Sequence, residues 1–96
     1  MTGPFEVRIS SSARRQLGRL PGKVAAAVVE FLTGVLPENP LRLSKPLTGD
    51  LARLRSARRG DYRVLLEVDE DRRRILVVRI AHRSDVYRPP PPTGAE

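Results

Sequence analysis

The spacing of apolar residues changes along this chain, and these changes constrain the fold more than any other feature. Between residues 13 and 36, apolar side chains recur every three or four positions, as on the buried side of a helix. From residue 62 onward they recur at every second position, as in a strand with one buried face. A shorter alternating run, Phe5, Val7 and Ile9, comes before the helical part. The predicted order is therefore strand, helix, helix and then further strands.

Two helices are predicted after the first strand. Ser11 and Ser12 offer caps for the first helix, which Pro21 stops. The second helix is predicted from Lys23 to Leu36, on an apolar stripe with spacings of four, three and four: Val24, Val28, Phe31 and Val35. The two helices form a hairpin. Residues 37–50 contain three prolines and a glycine, and they are predicted to form an irregular connection.

The second half of the chain predicts a sheet. An arginine-rich strand over residues 52–59 leads through the turn signal Gly60–Asp61 into an alternating run over residues 62–68. A charged turn precedes the next strand, Arg74–Ala81, in which Leu76, Val78 and Ile80 are predicted to face the core. A last short segment, Asp85–Arg88, follows. We therefore predict an α+β fold: an antiparallel-rich, twisted sheet of four to five strands with the helical hairpin packed on one face.

Composition limits the kind of protein further. Residues 1–88 are predicted to form one domain, and the proline-rich residues 89–96 a disordered tail. The longest apolar run, Val24 to Val29, is far shorter than a membrane span, and no signal peptide is evident, so we expect a cytoplasmic protein with no membrane partner. The sequence has no cysteine and one histidine, His82, which argues against a metal site; no cofactor is expected.

Positive charge dominates the surface chemistry. Eighteen basic residues against eleven acidic ones give a net charge of +7, and sixteen of the eighteen are arginine. Seven of the basic residues lie between residues 41 and 63, a segment with only two acidic residues. Arginine binds phosphate through a planar, bidentate fork. A polyanion or an acidic protein is therefore the expected partner.

Strand alternation predicts where the candidate side chains gather. If Tyr62, Val64 and Leu66 face the helices, Arg63 points to the opposite face of the sheet. By the same alternation Arg79 and Arg83 point away from the core face. Arg58 is expected on the same surface, with Tyr87 close to it. Guanidinium groups on one surface suit a phosphodiester, because negative charge develops on its non-bridging oxygens in the transition state. An RNA supplies its own nucleophile, the 2′-hydroxyl, so no metal is required.

Each of these residues also has a plainer interpretation. An arginine on an open strand face is commonly a solvated cation. Tyr87 near a strand end is commonly a packing residue, and His82, in phase with Ile80, is commonly a packed and hydrogen-bonded histidine.

Two motifs resemble one known family. The run from Ser56 to Leu65, which contains Gly60-Asp61-Tyr62-Arg63, and the later run His82-Arg83-Ser84-Asp85-Val86-Tyr87-Arg88 are similar to those of the RelE/ParE superfamily of bacterial toxins. The earlier pieces Leu20-Pro21, Asn39-Pro40 and Lys45-Pro46-Leu47 resemble its RelE branch. The similarity extends over about residues 5–88.

The resemblance implies a toxin of a type II toxin–antitoxin system with the RelE-like microbial RNase fold. It implies an endoribonuclease (an mRNA interferase) that cuts mRNA in the ribosomal A site by attack of the 2′-hydroxyl and so inhibits translation. It also implies three catalytic roles: Arg63 stabilises the transition state, Arg83 protonates the leaving group, and Tyr87 stacks on or orients a nucleotide. The implied partners are the ribosome, mRNA and an acidic antitoxin that shields the arginines.

The sequence departs from this family on the strand before the Gly-x-Tyr-Arg motif. Members of the RelE branch carry lysines on the strand before the Gly-x-Tyr-Arg motif, one of them as the general base, and the corresponding positions are Leu54 and Ser56. Arginine is protonated at physiological pH and is a poor base, which leaves His82 or Tyr87 as candidates. We expect the RNA and phosphate contacts to come from neighbouring cations: Lys45, Arg55, Arg58 and Arg59.

Two other functions remain open from the sequence. The first is a ParE-like poison of DNA gyrase, which shares the fold but has a longer helical hairpin and typically lacks the catalytic arginines. The second is a catalytically weak relative kept for antitoxin binding and operon autoregulation, which the missing lysines favour.

Overall fold

The computed structural model of the chain describes residues 3–86. Within them, two α-helices and five strands alternate with short irregular segments. The elements are β1 (Glu6–Ile9), α1 (Ser11–Gly18), α2 (Gly22–Glu30), β2 (Ser44–Pro46), β3 (Arg55–Arg59), β4 (Tyr62–Asp69) and β5 (Arg74–His82). A π-helical segment, Phe31–Val35, continues α2, and a 3₁₀ turn, Gly49–Leu51, precedes β3.

The five strands form one mixed sheet in the order β1-β5-β4-β3-β2. The pairs β2–β3, β3–β4 and β4–β5 are antiparallel, whereas β1 lies parallel to β5 at one edge. Gly60, with a φ of +60°, provides the tight turn between β3 and β4. The predicted α+β architecture, an antiparallel-rich sheet with a helical hairpin on one face, is confirmed.

The core lies between the helices and one face of the sheet. The side chains that the helical part buries are Ala13, Val28, Phe31, Leu32 and Leu36. Those that the sheet buries beneath them are Ala57, Val64, Leu66, Ile75, Val77 and Ile80. Apolar residues on alternate strand positions meet the apolar side of α2, so the two periods seen in the sequence describe the two halves of one core.

The first helix begins and ends slightly earlier than predicted. Its cap is Ser10 and not Ser11 or Ser12: the Ser10 hydroxyl accepts a hydrogen bond from the Ala13 N–H at 3.1 Å. The helix ends at Gly18, three residues before Pro21, and the chain then tightens: the N–H groups of Arg19 and Leu20 donate to carbonyls three residues back, at 3.0 and 3.2 Å.

The second helix changes its winding where the apolar stripe was expected to continue. The Leu36 N–H donates to the Phe31 carbonyl at 2.9 Å, five residues back, which is the bond of a π-helix. The wider turn shifts the buried side of the helix by one residue. Leu32 and Leu36 are buried, whereas Val35 is 52% exposed. The prediction that Val35 belongs to the core stripe was therefore wrong.

The connection after the helices contains a strand that the sequence did not reveal. Residues 37–50 were predicted to be irregular, but Ser44–Pro46 pairs with Arg55–Ala57 as an edge strand. Three residues are too few to show an alternating pattern, and Pro46 is tolerated because an edge strand leaves one side unpaired. At the other end, residues 83–86 form a turn after β5, so the described part of the predicted segment Asp85–Arg88 is not a strand.

A β-bulge in β5 reverses which residues face the core. Leu65 of β4 pairs with Arg79, but the next residue, Leu66, pairs with Val77, so Val78 is an extra residue in β5. Before the bulge, Ile75 and Val77 are buried and Leu76 is 37% exposed. After it, Ile80 is buried, as predicted. The prediction that Leu76 and Val78 share the core face with Ile80 was wrong, since it assumed an uninterrupted strand.

Two further expectations concern the ends of the chain and membranes. The predicted tail, residues 89–96, and the end of the predicted domain at residues 87–88 lie outside the described residues. Among the helices of residues 3–86, none is both long and apolar enough to cross a membrane.

The π-helical segment yields a stability prediction. We expect Leu36→Ala to lower the free energy of unfolding by about 2–5 kcal/mol, because truncation of this fully buried side chain leaves a cavity in the core. Val35→Ala, one residue earlier, should change it by less than about 0.5 kcal/mol. Urea denaturation of the two variants tests this, and a larger loss in Val35→Ala would contradict the shifted phase.

Candidate anion-binding site

The face of the sheet opposite the helices carries most of the candidate residues. We call it the open face. Strand register assigns to it Lys45, Ser56, Arg58, Arg63, Leu65 and Arg79, because paired residues on neighbouring strands point to the same side. Leu65 is only 4% exposed although it is not part of the core under the helices. The side chains of the open face therefore cover an apolar residue, and the face is not simply a layer of solvated charges.

A basic pocket lies at the β2 side of this face. It has a volume of about 450 Å³ and is lined by Arg42, Leu43, Ser44, Lys45, Pro46, Leu47, Ser56, Arg58 and Arg63. Four of these nine residues are cationic and none is acidic. Three predicted site residues, Lys45, Arg58 and Arg63, are thus brought together by β2, β3 and β4. The residue that sequence reasoning missed is Arg42, whose signal was only its place in the basic segment 41–63.

Arg58 and Arg63 occupy directly opposite positions on β3 and β4. Like charges in such a cross-strand pair repel each other, since their Cβ atoms lie only about 5 Å apart. The Arg58 Nε makes one long hydrogen bond, 3.4 Å, to the Gly60 carbonyl. The Arg63 Nη1 is buried and has no hydrogen-bond partner among residues 3–86. An anion bound between the two arginines would relieve both the repulsion and the unmet donor.

No carboxylate in the described chain neutralises this pocket. The ion pairs within residues 3–86 are Arg8–Glu6, Arg53–Glu67 and Arg74–Glu6, all outside it. The same residues contain no group of three or more histidine, cysteine, aspartate or glutamate side chains arranged to hold a metal ion. The pocket therefore presents guanidinium and amine donors to an external anion.

Arg55 has a different environment from its neighbours. It lies opposite Leu66 and so faces away from the pocket. Its Nε donates to the Ser44 hydroxyl at 2.7 Å, and its Nη2 donates to the carbonyls of Leu41 and Ser44 at 3.0 and 2.9 Å. Buried Ser44 in turn donates to the Pro40 carbonyl at 2.6 Å. This network fastens residues 40–46 to β3, and those residues form one wall of the basic pocket.

Arg59 and His82 also lie on the helix side of the sheet. The Arg59 guanidinium is 6.0 Å from the centroid of the Phe31 ring. His82 is paired with Tyr62, and their rings meet edge to face with centroids 5.5 Å apart. The His82 Nδ1 accepts a hydrogen bond from the Ser84 N–H at 3.2 Å. The structure therefore does not bring Arg55, Arg59 or His82 to the face that holds Arg63.

Arg83 lies at the end of β5, beside the β3–β4 turn. Its N–H donates to the Asp61 carbonyl at 2.8 Å, which extends the β4–β5 ladder by one bond. Arg63 is paired with Ala81, so Arg83 is its diagonal neighbour across the two strands. The Arg83 side chain is exposed. Tyr87, the third predicted catalytic residue, lies outside the described residues.

Comparison with known proteins identifies the family. Residues 7–87 match the family described as the ParE toxin of the type II toxin–antitoxin system, parDE. The chain is 53% identical over 85 residues to Toxin RelE of Mycobacterium tuberculosis, which covers 88% of both chains. The chain belongs to the RelE/ParE family of toxins.

Two further relatives agree with this assignment. Toxin RelG of Mycobacterium tuberculosis is 47% identical over 85 residues, which covers 88% of this chain and 98% of that protein. The toxin–antitoxin complex RelBE2 of the same organism contains a chain with a TM-score of 0.82 and 45% identity, which covers 88% of this chain and 98% of that one. The resemblance to the RelE branch is confirmed, and the protein is a type II toxin–antitoxin toxin of the RelE family.

The Arg55 network yields a prediction about this RelE-family toxin. We expect Arg55→Ala to lower the free energy of unfolding by about 1–3 kcal/mol, because it removes three hydrogen bonds and leaves buried Ser44 poorly satisfied. Arg53→Ala is the matched control: its side chain is 82% exposed and makes one long ion pair, so its loss should be smaller. Equal stability of the two variants in urea denaturation would contradict the structural role of Arg55.

Proposed function

We propose that this toxin is a metal-independent endoribonuclease that cleaves mRNA on the ribosome. One observation carries the proposal: a basic pocket without acidic residues contains Arg63, whose buried Nη1 has no partner among residues 3–86. A buried charged donor without an acceptor is costly, and a phosphate oxygen would satisfy it. The RelE names of the curated relatives and the Gly60-Asp61-Tyr62-Arg63 motif support an RNA phosphate as that group.

The reaction that fits this pocket needs no bound cofactor. The 2′-hydroxyl oxygen attacks the adjacent phosphorus and its proton passes to solvent water; an O2′–P bond forms, the P–O5′ bond breaks, and the products are a 2′,3′-cyclic phosphate and a 5′-hydroxyl. Arg63 stabilises the charge on the non-bridging oxygens. Arg58 and Lys45 bind the phosphate backbone. Arg83, the diagonal neighbour of Arg63, donates a proton to the leaving 5′-oxygen and takes one back from solvent water, and Tyr87 orients a nucleotide.

Lys45 provides an amine beside one of the positions that lack the lysines of the RelE branch. It is paired directly with Ser56, the strand position at which RelE-branch members carry a lysine. The pocket therefore regains an amine from the neighbouring strand β2. His82 faces the other side of the sheet, beside Tyr62, so we do not assign it the role of general base.

The proposal includes a partner and a place of action. The RelBE2 relative was solved as a toxin–antitoxin complex, and a net charge of +7 calls for an acidic partner. We propose that an acidic antitoxin binds this chain and shields the basic pocket. Ribosomes and mRNA, the other proposed partners, would place the activity in the cytoplasm.

The second candidate is a gyrase poison, which the family description as a ParE toxin favours. In that function the arginine face would be a protein-docking surface. DNA damage signalling on induction, with mRNA left intact, would support it.

The first test is cleavage of mRNA by purified toxin with and without ribosomes, read as new 5′ ends by primer extension. We expect cuts within translated codons only when ribosomes are present. Arg63→Gln should reduce the cleavage rate by about 10²–10³-fold, the usual effect of removing one transition-state donor. Arg72→Gln, in the exposed turn before β5, removes the same charge away from the pocket and should cleave normally. Cleavage by Arg63→Gln at the wild-type rate would overturn the mechanism.

Two variants of Lys45 separate its possible contributions. If Lys45 binds the phosphate backbone through its charge, Lys45→Arg should keep most of the activity and Lys45→Gln should lose about tenfold. Loss of activity in both variants at unchanged binding to programmed ribosomes would instead assign the amine a proton-transfer role. The same primer-extension assay provides the rates.

A further inference from the structure

Arg79 reaches the open face only because β5 is irregular. Ile75 and Val77 point to the core, so an uninterrupted strand would direct residue 79 under the helices as well. The extra residue Val78 reverses the alternation, so Ile80 is buried and Arg79 lies on the open face, opposite Leu65. Bulges commonly redirect a side chain next to a functional site. Here the bulge keeps a guanidinium out of the core and directs it to the face that carries Arg63.

The register makes Arg79 a close neighbour of Arg63. Ala81 is the direct partner of Arg63, and Arg79 precedes it by two residues on the same face. Diagonal positions of this kind lie about 7–8 Å apart, within reach of long side chains. Arg79 and Arg83 are therefore the two diagonal neighbours of Arg63, one on each side of Ala81. Its Nη2 also donates to the Asp85 carbonyl at 3.2 Å, which links it to the turn that carries Arg83.

Arg79 and Arg63 share an unusual feature. Among residues 3–86, the buried side-chain nitrogen and oxygen atoms without a hydrogen-bond partner are two: Arg63 Nη1 and Arg79 Nε. Each unmet charged donor costs folding free energy. That both occur on diagonal neighbours of one sheet face indicates a common missing acceptor.

We propose that Arg79 and Arg63 together bind one phosphate group of the RNA, so that Arg79 is a further phosphate-binding residue of the toxin. This inference rests on the proposed function, because it concerns the same substrate. Rotation of the two guanidinium groups toward the open face would give each unmet nitrogen a phosphate oxygen. A tetrahedral phosphate offers acceptors toward two strands at once, whereas a carboxylate offers two coplanar oxygens, and for this reason we favour phosphate over an acidic peptide.

Inorganic phosphate titrated into the full-length chain is the direct probe, followed by the ¹H–¹⁵N signals of the arginine Nε groups. We expect the Arg63 and Arg79 signals to shift together with one dissociation constant, and acetate to bind more weakly. In Arg79→Gln the dissociation constant at Arg63 should rise about tenfold, the contribution of one charge-assisted hydrogen bond. It should not rise in Arg72→Gln. An Arg79 signal that stays fixed while Arg63 saturates would overturn the proposal, and tighter binding of acetate would assign the pair to an acidic peptide.

Ribosome-dependent cleavage separates this inference from the function on which it rests. We expect Arg79→Gln to slow single-turnover cleavage at saturating toxin by about tenfold or more, Arg79→Lys to recover part of the rate, and the thermal unfolding midpoint to change little. Full activity of Arg79→Gln beside an active wild type would reject the role of Arg79 and leave the endonuclease intact. An inactive wild type on ribosomes would reject the proposed function itself.

Discussion

The fold depends on the burial of β4 at the centre of the sheet. Val64 and Leu66 are fully buried beneath the helices, and Leu65 between them is almost fully buried on the other face. A strand that is apolar on both sides cannot slip by one residue without exposing buried surface and placing Arg63 in the core. This constraint fixes the register with β3 and β5. It thereby fixes which of the many arginines gather on the open face.

The close approach of cationic side chains on the open face lowers the stability of the folded chain. Arg58 opposes Arg63 across β3 and β4, Lys45 and Arg42 complete the pocket, and no acidic side chain of the described chain enters it. Within residues 3–86 this arrangement is repulsive, and two buried guanidinium nitrogens have no acceptor among those residues. Such a cluster persists because the sheet around it is well packed. A site held in this way is prepared for an anion, and an acidic protein would be able to compete for it.

Three local irregularities determine the details of the site. The π-helical segment moves Leu36 into the core in place of Val35, and the bulge at Val78 moves Arg79 to the open face. The short strand β2 brings Lys45 opposite Ser56. Each departs from a regular period, and a periodic interpretation of the sequence has no means to detect it. Arg55 illustrates the consequence: it is one more arginine in the sequence, but in the structure it fastens residues 40–46 and so forms the wall of the pocket.

The sequence by itself determined the order of the helices and of every strand except the short β2, the α+β class and the family, because apolar periodicity and short motifs are local properties of the chain. It also determined that Arg63 points away from the core, since Tyr62 and Val64 flank it and Leu66 continues the period of two. Only the tertiary structure decided that Lys45 joins Arg63 and Arg58 on one face. It also decided that Arg55 and Arg59, which were expected to contact RNA, face the helices. The physical reason is that strand pairing and the bulge set these positions, and both arise from hydrogen bonds between residues far apart in the chain.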